Sequence, residues 1–129
     1  MRKKDRIDTV VRCGETNGWN VSADAGQKNG IVIFEFSKFT PAGQNFSFTA
    51  TMKGKDLDSL ITDMENYYDD FDVDEETYLW LDNRGHGKNG APYRMRDVLE
   101  DMEAAEKMVE DLLDAVSYTH LTLPTSDLV

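Results

Sequence analysis

The segment LDSLITDMENYYDDF, residues 57–71, decides the fold of this chain. Its apolar residues recur at intervals of three and four, the spacing that forms one stripe along an α-helix. They are Leu57, Leu60, Ile61, Met64, Tyr67, Tyr68 and Phe71. Acidic residues fill the positions between them. The segment therefore predicts an amphipathic helix with a buried stripe and a carboxylate-rich face toward water.

A second segment, residues 95–116, repeats this pattern. Its apolar residues are expected to face inward and include Met95, Val98, Leu99 and Met102. Its acids are expected to face mostly outward, namely Asp97, Glu100, Asp101, Glu106, Glu110, Asp111 and Asp114. Between the two segments we expect a shorter helix, with Asp74 as its N-cap and Val73 and Tyr78 as a hydrophobic staple. Leu79, Trp80 and Leu81 are expected to supply its core contacts, and a loop over residues 83–91 follows.

The first half of the chain predicts one helix and a small sheet. Residues 5–13 have helical spacing, and Gly14 is expected to end that helix. Residues 19–24, 31–36 and 46–52 have strand patterns separated by turn residues. The middle run is rich in branched and aromatic residues, and we expect it to be the central strand. The predicted fold class is α+β: a short N-terminal helix, a three-stranded antiparallel meander, and then three helices packed on one sheet face.

A single domain is expected over residues 1–116, because the chain is too short for two. The last thirteen residues, SYTHLTLPTSDLV (117–129), lose both the helical period and the acidic bias. They resemble a translated sequencing-adapter tail. We therefore expect this tail to be non-native and the true C-terminus to be missing or to lie near Val116.

Charge is distributed by region. The formal net charge is −11, and residues 56–83 contain eleven acids and no lysine or arginine. Residues 84–96 contain four basic residues and no acid. Bare nucleic acid and anionic membranes are unsuitable partners for such a chain, whereas a protein with a basic groove fits. With one cysteine, Cys13, no intramolecular disulfide can form, so we expect a cytoplasmic protein.

Two sequence motifs partly match known ligand-binding patterns. Residues 85–90, GHGKNG, match the dinucleotide pattern G-x-G-x-x-G, but a predicted helix precedes them where a strand is required. The alternatives are a plain connection or an anion contact through Arg84, Lys88, Arg94 and Arg96. Asp70, Asp72 and Asp74 match the first, third and fifth positions of a calcium-binding loop. The match then fails, because Glu75 stands where the loop needs glycine and Leu81 stands where it needs the last carboxylate. We expect no metal and no cofactor.

Residues 39–48, 68–74 and 89–101 (FTPAGQNFSF, YDDFDVD and NGAPYRMRDVLED) resemble small acidic proteins of gut-bacterial mobile elements. The resemblance covers residues 19–116. Small acidic proteins of this kind include anti-CRISPR and antirestriction inhibitors, which occupy the DNA-binding channels of host nucleases. The resemblance therefore implies a phage- or plasmid-encoded protein that binds another macromolecule.

These observations lead to one functional hypothesis and two alternatives. In the first, carboxylates imitate a run of phosphates and block the DNA-binding groove of a nuclease such as a CRISPR effector. The residues predicted to bind this partner are Asp63, Glu65, Asp69, Asp70, Asp72, Asp74, Glu75 and Glu76. The second is a non-enzymatic adaptor that binds through its sheet or an aromatic edge. The third is a small hydrolase that uses His86 and a carboxylate; with no serine or cysteine nucleophile near His86 in sequence, the protein is expected not to be an enzyme.

Overall fold

The computed structural model describes residues 2–88 and 90–121, which form an α+β fold. The elements follow in the order α1 (Lys3–Thr16), β1 (Asn20–Asp24), β2 (Ile31–Phe39), β3 (Asn45–Lys53), α2 (Leu57–Asp70), α3 (Val73–Leu79) and α4 (Met95–Leu121). The predicted order of an N-terminal helix, a meander and three further helices is confirmed. None of the described helices is both long and apolar enough to cross a bilayer.

The sheet is antiparallel, with β2 between β1 and β3. Val32, Phe34 and Phe36 alternate with outward residues along β2, and all three are fully buried. This period of two sends every second side chain to the same face. The prediction that this run forms the central strand is confirmed, because a middle strand covered by helices needs a wholly apolar inner face.

Helix α2 covers the inner face of β3 with its apolar stripe. Leu60 and Met64 are fully buried, and the Tyr67 ring stacks on Phe48 at 4.6 Å between centroids. Burying a side chain the size of leucine or methionine contributes about 1.5–3 kcal/mol. The stripe read from the sequence is therefore the contact that joins the helical half to the sheet.

Gly14 does not end α1, contrary to expectation. The helix continues to Thr16, and Asn17 follows it with its side-chain amide donating to the Cys13 carbonyl at 2.8 Å. Gly14 is buried where α1 meets β1, and a β-carbon there would clash with the Val21 side chain. The glycine is needed for close approach of a strand, which a local reading cannot distinguish from a helix stop.

Helix α3 begins earlier than predicted. Its N-cap is Asp72, whose carboxylate accepts hydrogen bonds from the backbone N–H groups of Asp74 (2.9 Å) and Glu75 (3.3 Å). The expected Asp74 cap and the staple between Val73 and Tyr78 are therefore wrong.

The apolar end of α3 is split between core and solvent. Leu81 is buried and Trp80 packs partly against the core, as expected. Leu79 and Tyr78 are 66% and 71% exposed. A helix of two turns that packs on α4 can bury only one of its sides, so these two side chains remain in water.

Helix α4 departs from the predicted pattern at both ends and in its middle. Met95 is 53% exposed instead of inward, and Asp101 is 4% exposed instead of outward. The helix also continues past Val116 to Leu121, into the segment whose sequence loses the helical period. His120 Nε2 lies 2.9 Å from Asp58 Oδ1 on α2, and this tertiary contact supports the extra turn. Residues 122–129 of the expected tail lie outside the described residues.

Candidate functional site

The eight predicted partner-binding acids lie along α2, in the α2–α3 connection and in the first turn of α3. Six of them are exposed, and we call these six the acidic surface: Glu65, Asp69, Asp70, Asp72, Asp74 and Glu75. Only two residues separate the end of α2 from the start of α3. The two helix ends are therefore held close together by the chain itself.

Asp63 is separated from this surface. Its Oδ2 accepts a hydrogen bond from the backbone N–H of Thr51 on β3 at 2.7 Å. Residues two apart on an α-helix point to nearly opposite sides, so Asp63 faces the sheet edge while Glu65 faces water. Asp63 satisfies a backbone donor on an edge strand, which is a structural role.

Glu76 is also drawn inward. Burial raises the pKa of its carboxyl, and the neighbouring Glu75 carboxylate adds to the rise. Tyr67 shows the matching effect: burial, followed by the negative charge of Glu76, raises its pKa to about 12. Glu76 therefore lies beside the α2 aromatic residues instead of with the exposed acids.

Within residues 2–88 and 90–121, no lysine or arginine side chain forms an ion pair with the acidic surface. The ion pairs in that part of the chain lie elsewhere: Arg2 with Asp5, Lys107 with Glu110 and Asp111, and His120 with Asp58. The basic residues Arg84, Lys88, Arg94 and Arg96 are exposed, and none of them forms an ion pair with these acids within the described residues. The negative potential of the surface is therefore not cancelled by the chain's own cations at contact distance.

Helix α4 adds carboxylates that the sequence prediction did not include in the site. The Tyr68 hydroxyl on α2 donates to Glu110 Oε2 at 2.7 Å, which places the acids of α4 next to α2. This bond, together with the Lys107 ammonium, lowers the pKa of Glu110. The outward acids of α4 were visible in the sequence, but only helix packing shows which other helix they join.

Glu110, Asp111 and Asp114 place one carboxylate oxygen each within 4.8 Å of one another, a spacing that could hold a metal ion. Lys107 forms ion pairs with two of these three carboxylates. Its Nζ lies 2.9 Å from Glu110 and 3.0 Å from Asp111. Its ammonium group already supplies positive charge at this cluster.

The segment over residues 82–88, which we call the glycine loop, is folded around the carboxylate of Asp82. Asp82 Oδ1 accepts hydrogen bonds from the backbone N–H groups of Arg84 (2.8 Å) and His86 (3.0 Å). The bond from His86, followed by that from Arg84, lowers the pKa of Asp82. Backbone donors that could hold a ligand anion are thus bonded to a side chain of the same loop.

His86 packs against an aromatic ring. Its imidazole stacks on Tyr93 with 4.2 Å between centroids and 20° between planes. No serine or cysteine side chain of the described residues donates a hydrogen bond to this ring. The described contacts of His86 are therefore those of a packing residue.

A groove of about 410 Å³ separates α3 from the beginning of α4. One wall of the groove is lined by Thr77, Tyr78 and Leu81, and the other wall is lined by Met95 and Leu99. Aromatic residues and methionine are typical of the centre of protein interfaces. Sequence reasoning missed this groove, since Tyr78 and Met95 were both expected to pack inside.

Comparison with protein-family models, curated proteins and solved structures finds no match to this chain.

Proposed function

We propose that this protein is a non-enzymatic inhibitor of a nucleic-acid-binding nuclease, acting as a DNA mimic that occupies the cationic groove of its target. The observation that supports the proposal is the acidic surface, whose six exposed carboxylates have no lysine or arginine partner in the described part of the chain. A desolvated arginine- and lysine-lined groove would supply those partners.

The spacing of the carboxylates also supports mimicry. Glu65 and Asp69 are four residues apart on α2, so their β-carbons are about 5–6 Å apart. This is comparable to the spacing of phosphates along one strand of nucleic acid. The first target class to test is a CRISPR effector, because its DNA channel is positively charged.

The test is a nuclease protection assay with purified effectors and restriction nucleases. The variant Glu65→Lys, Asp69→Lys, Asp70→Lys reverses three charges on the acidic surface and should strongly weaken inhibition. The control variant Asp8→Lys, Glu15→Lys, Glu35→Lys changes net charge equally at exposed positions on α1 and β2. It should inhibit like the parent protein. Equal loss in both variants would mean that only total charge matters, and no loss in either would refute the proposal.

A second candidate function is an adaptor that binds through an aromatic edge. The exposed Tyr78 and Tyr93, at 71% and 68%, favour it. Such an adaptor would retain its partner after reversal of Glu65, Asp69 and Asp70 and would lose it after Tyr78→Ala. A pull-down with both variants from a host lysate distinguishes the two functions.

A further inference from the structure

We propose that the groove between α3 and α4 is a self-association surface, and that its occupant is a second copy of this chain. The groove combines apolar walls with opposite charges. Tyr78 and Met95, which project from the two walls, are both large apolar side chains that lie more than half exposed. Such side chains at a concave site are typical anchors of protein interfaces.

The charges on the two walls identify the occupant. Asp74 lies on the α3 wall and Arg96 on the α4 wall, and both are exposed. Neither forms an ion pair within residues 2–88 and 90–121, although they line the same groove. Each is therefore available to a charge brought by another molecule.

A two-fold symmetric dimer matches both charges at once. In such a dimer each surface meets its own copy, so Asp74 of one copy faces Arg96 of the other, and the contact occurs twice. A partner with charge of a single sign would be repelled by one of the two walls. The groove is thus complementary to itself in charge, while its apolar residues supply the area to be buried.

The net charge of −11 opposes association of two copies over longer distances. At about 0.15 M salt this repulsion is screened beyond roughly 8 Å, whereas contacts inside the groove are closer than that. We therefore expect a reversible dimer at micromolar or higher concentrations in physiological salt. Low salt should weaken it, because the repulsion then extends further.

The test is sedimentation velocity of the full chain over a series from micromolar to millimolar concentration. The wild type should shift from monomer to dimer. Asp74→Arg and Arg96→Asp each place like charges opposite one another twice, and each should weaken self-association by about tenfold or more. Matched controls are Glu103→Arg and Arg12→Asp, which make the same charge changes at exposed positions outside the groove. These controls should dimerise like the wild type.

Mixing the two groove variants provides the decisive measurement. In a mixed dimer, the arginine introduced by Asp74→Arg faces the aspartate introduced by Arg96→Asp. The second contact pairs the two native side chains, since the first variant keeps Arg96 and the second keeps Asp74. An equimolar mixture should therefore regain the dimer that each variant alone has lost.

Recovery of the dimer in the mixture also shows that both variants are folded. A wild type that stays monomeric at millimolar concentration, or a mixture that associates no better than its components, would overturn the proposal. A monomer that binds another protein at this groove would overturn it as well.

Failure of this proposal can be told apart from failure of the proposed function. Glu65, Asp69 and Asp70, which the nuclease assay changes, do not line the groove. The sedimentation experiment is done on this chain alone, without a nuclease. Its outcome is therefore independent of the inhibition assay.

Discussion

The carboxylate of Asp101 on α4 accepts a hydrogen bond from the Thr40 hydroxyl at 2.5 Å. Its other oxygen accepts one from the backbone N–H of Ala42 at 3.0 Å. The Thr40 hydroxyl oxygen in turn accepts from the backbone N–H of Gln44 at 3.0 Å. One buried side chain thus fastens the β2–β3 turn to the long helix.

Replacing Asp101 with alanine should destabilise the protein by about 2–3 kcal/mol, because the donors on Thr40 and Ala42 would lose a charged acceptor in a buried place. Glu100→Ala, at the exposed neighbouring position, should change the free energy of unfolding by less than about 0.5 kcal/mol. Urea denaturation of both variants measures the difference. Equal effects would show that the turn does not depend on this carboxylate.

Gly87→Ala should also be destabilising, for a steric reason. A β-carbon on Gly87 would collide with the backbone carbonyl of Pro92, and the Gly87 N–H donates to the Tyr93 carbonyl at 2.9 Å. The two backbone segments at Gly87 and Pro92 would have to separate, which should lower the free energy of unfolding by about 1–3 kcal/mol. The control is Lys88→Ala at the exposed next position. Thermal unfolding followed by circular dichroism tests the prediction, which fails if the two variants melt together.

Glu76→Gln should stabilise the protein at neutral pH. The pKa of Glu76 is raised above its ordinary 4.5 by burial and then by Glu75, so the folded state binds this proton more tightly than the unfolded chain. The favourable contribution is complete below pH 4.5 and is lost as pH rises through the raised pKa. The advantage of the neutral glutamine should therefore be present at pH 7 and disappear in acid.

This difference is measured by denaturant unfolding of Glu76→Gln and of the parent protein. The series runs from pH 4 to pH 7, which is about the range in which carboxyl groups titrate. Glu103→Gln, on the exposed side of α4, is the control. A stability gain that persists unchanged in acid would show that the effect comes from packing and not from ionisation.

Binding of this protein to the proposed target nuclease should weaken as salt is raised, because exposed charges are screened. The variant Glu65→Lys, Asp69→Lys, Asp70→Lys should bind with a smaller dependence on salt, whereas Asp8→Lys, Glu15→Lys, Glu35→Lys should keep the parent's dependence. Titrations at several salt concentrations provide the comparison. An affinity of the parent protein that does not change with salt would contradict recognition through carboxylates.

Short-range patterns were enough to predict the secondary structure and its order. Val32, Phe34 and Phe36 alternate along β2, and Leu60 and Met64 recur at helical spacing along α2. Apolar periodicity of this kind has one low-energy solution, in which all such faces meet in a single core. Six of the eight predicted acids are exposed as these patterns indicated, whereas Asp63 binds the β3 backbone and Glu76 is partly buried.

Other features depend on contacts between residues distant in sequence. Gly14 is read locally as a stop, whereas the Val21 side chain beside it shows that a glycine is needed there for close packing of α1 on β1. Asp101 has the same local pattern as the exposed acids near it, yet the turn at Thr40 draws it inside. Met95 and Tyr78 were expected in the core, and the short α3 leaves both in water.

Periodicity in the chain was thus sufficient for the element types and the concentration of negative charge, since each depends on neighbours within a few residues. The strand order followed from the short connections, which place consecutive strands side by side. Which acids remain exposed, which one ties a turn to α4, and where an apolar groove opens were decided by packing. Those outcomes depend on side chains that folding brings together from far apart in the chain, such as Thr40 and Asp101, which are 61 positions apart.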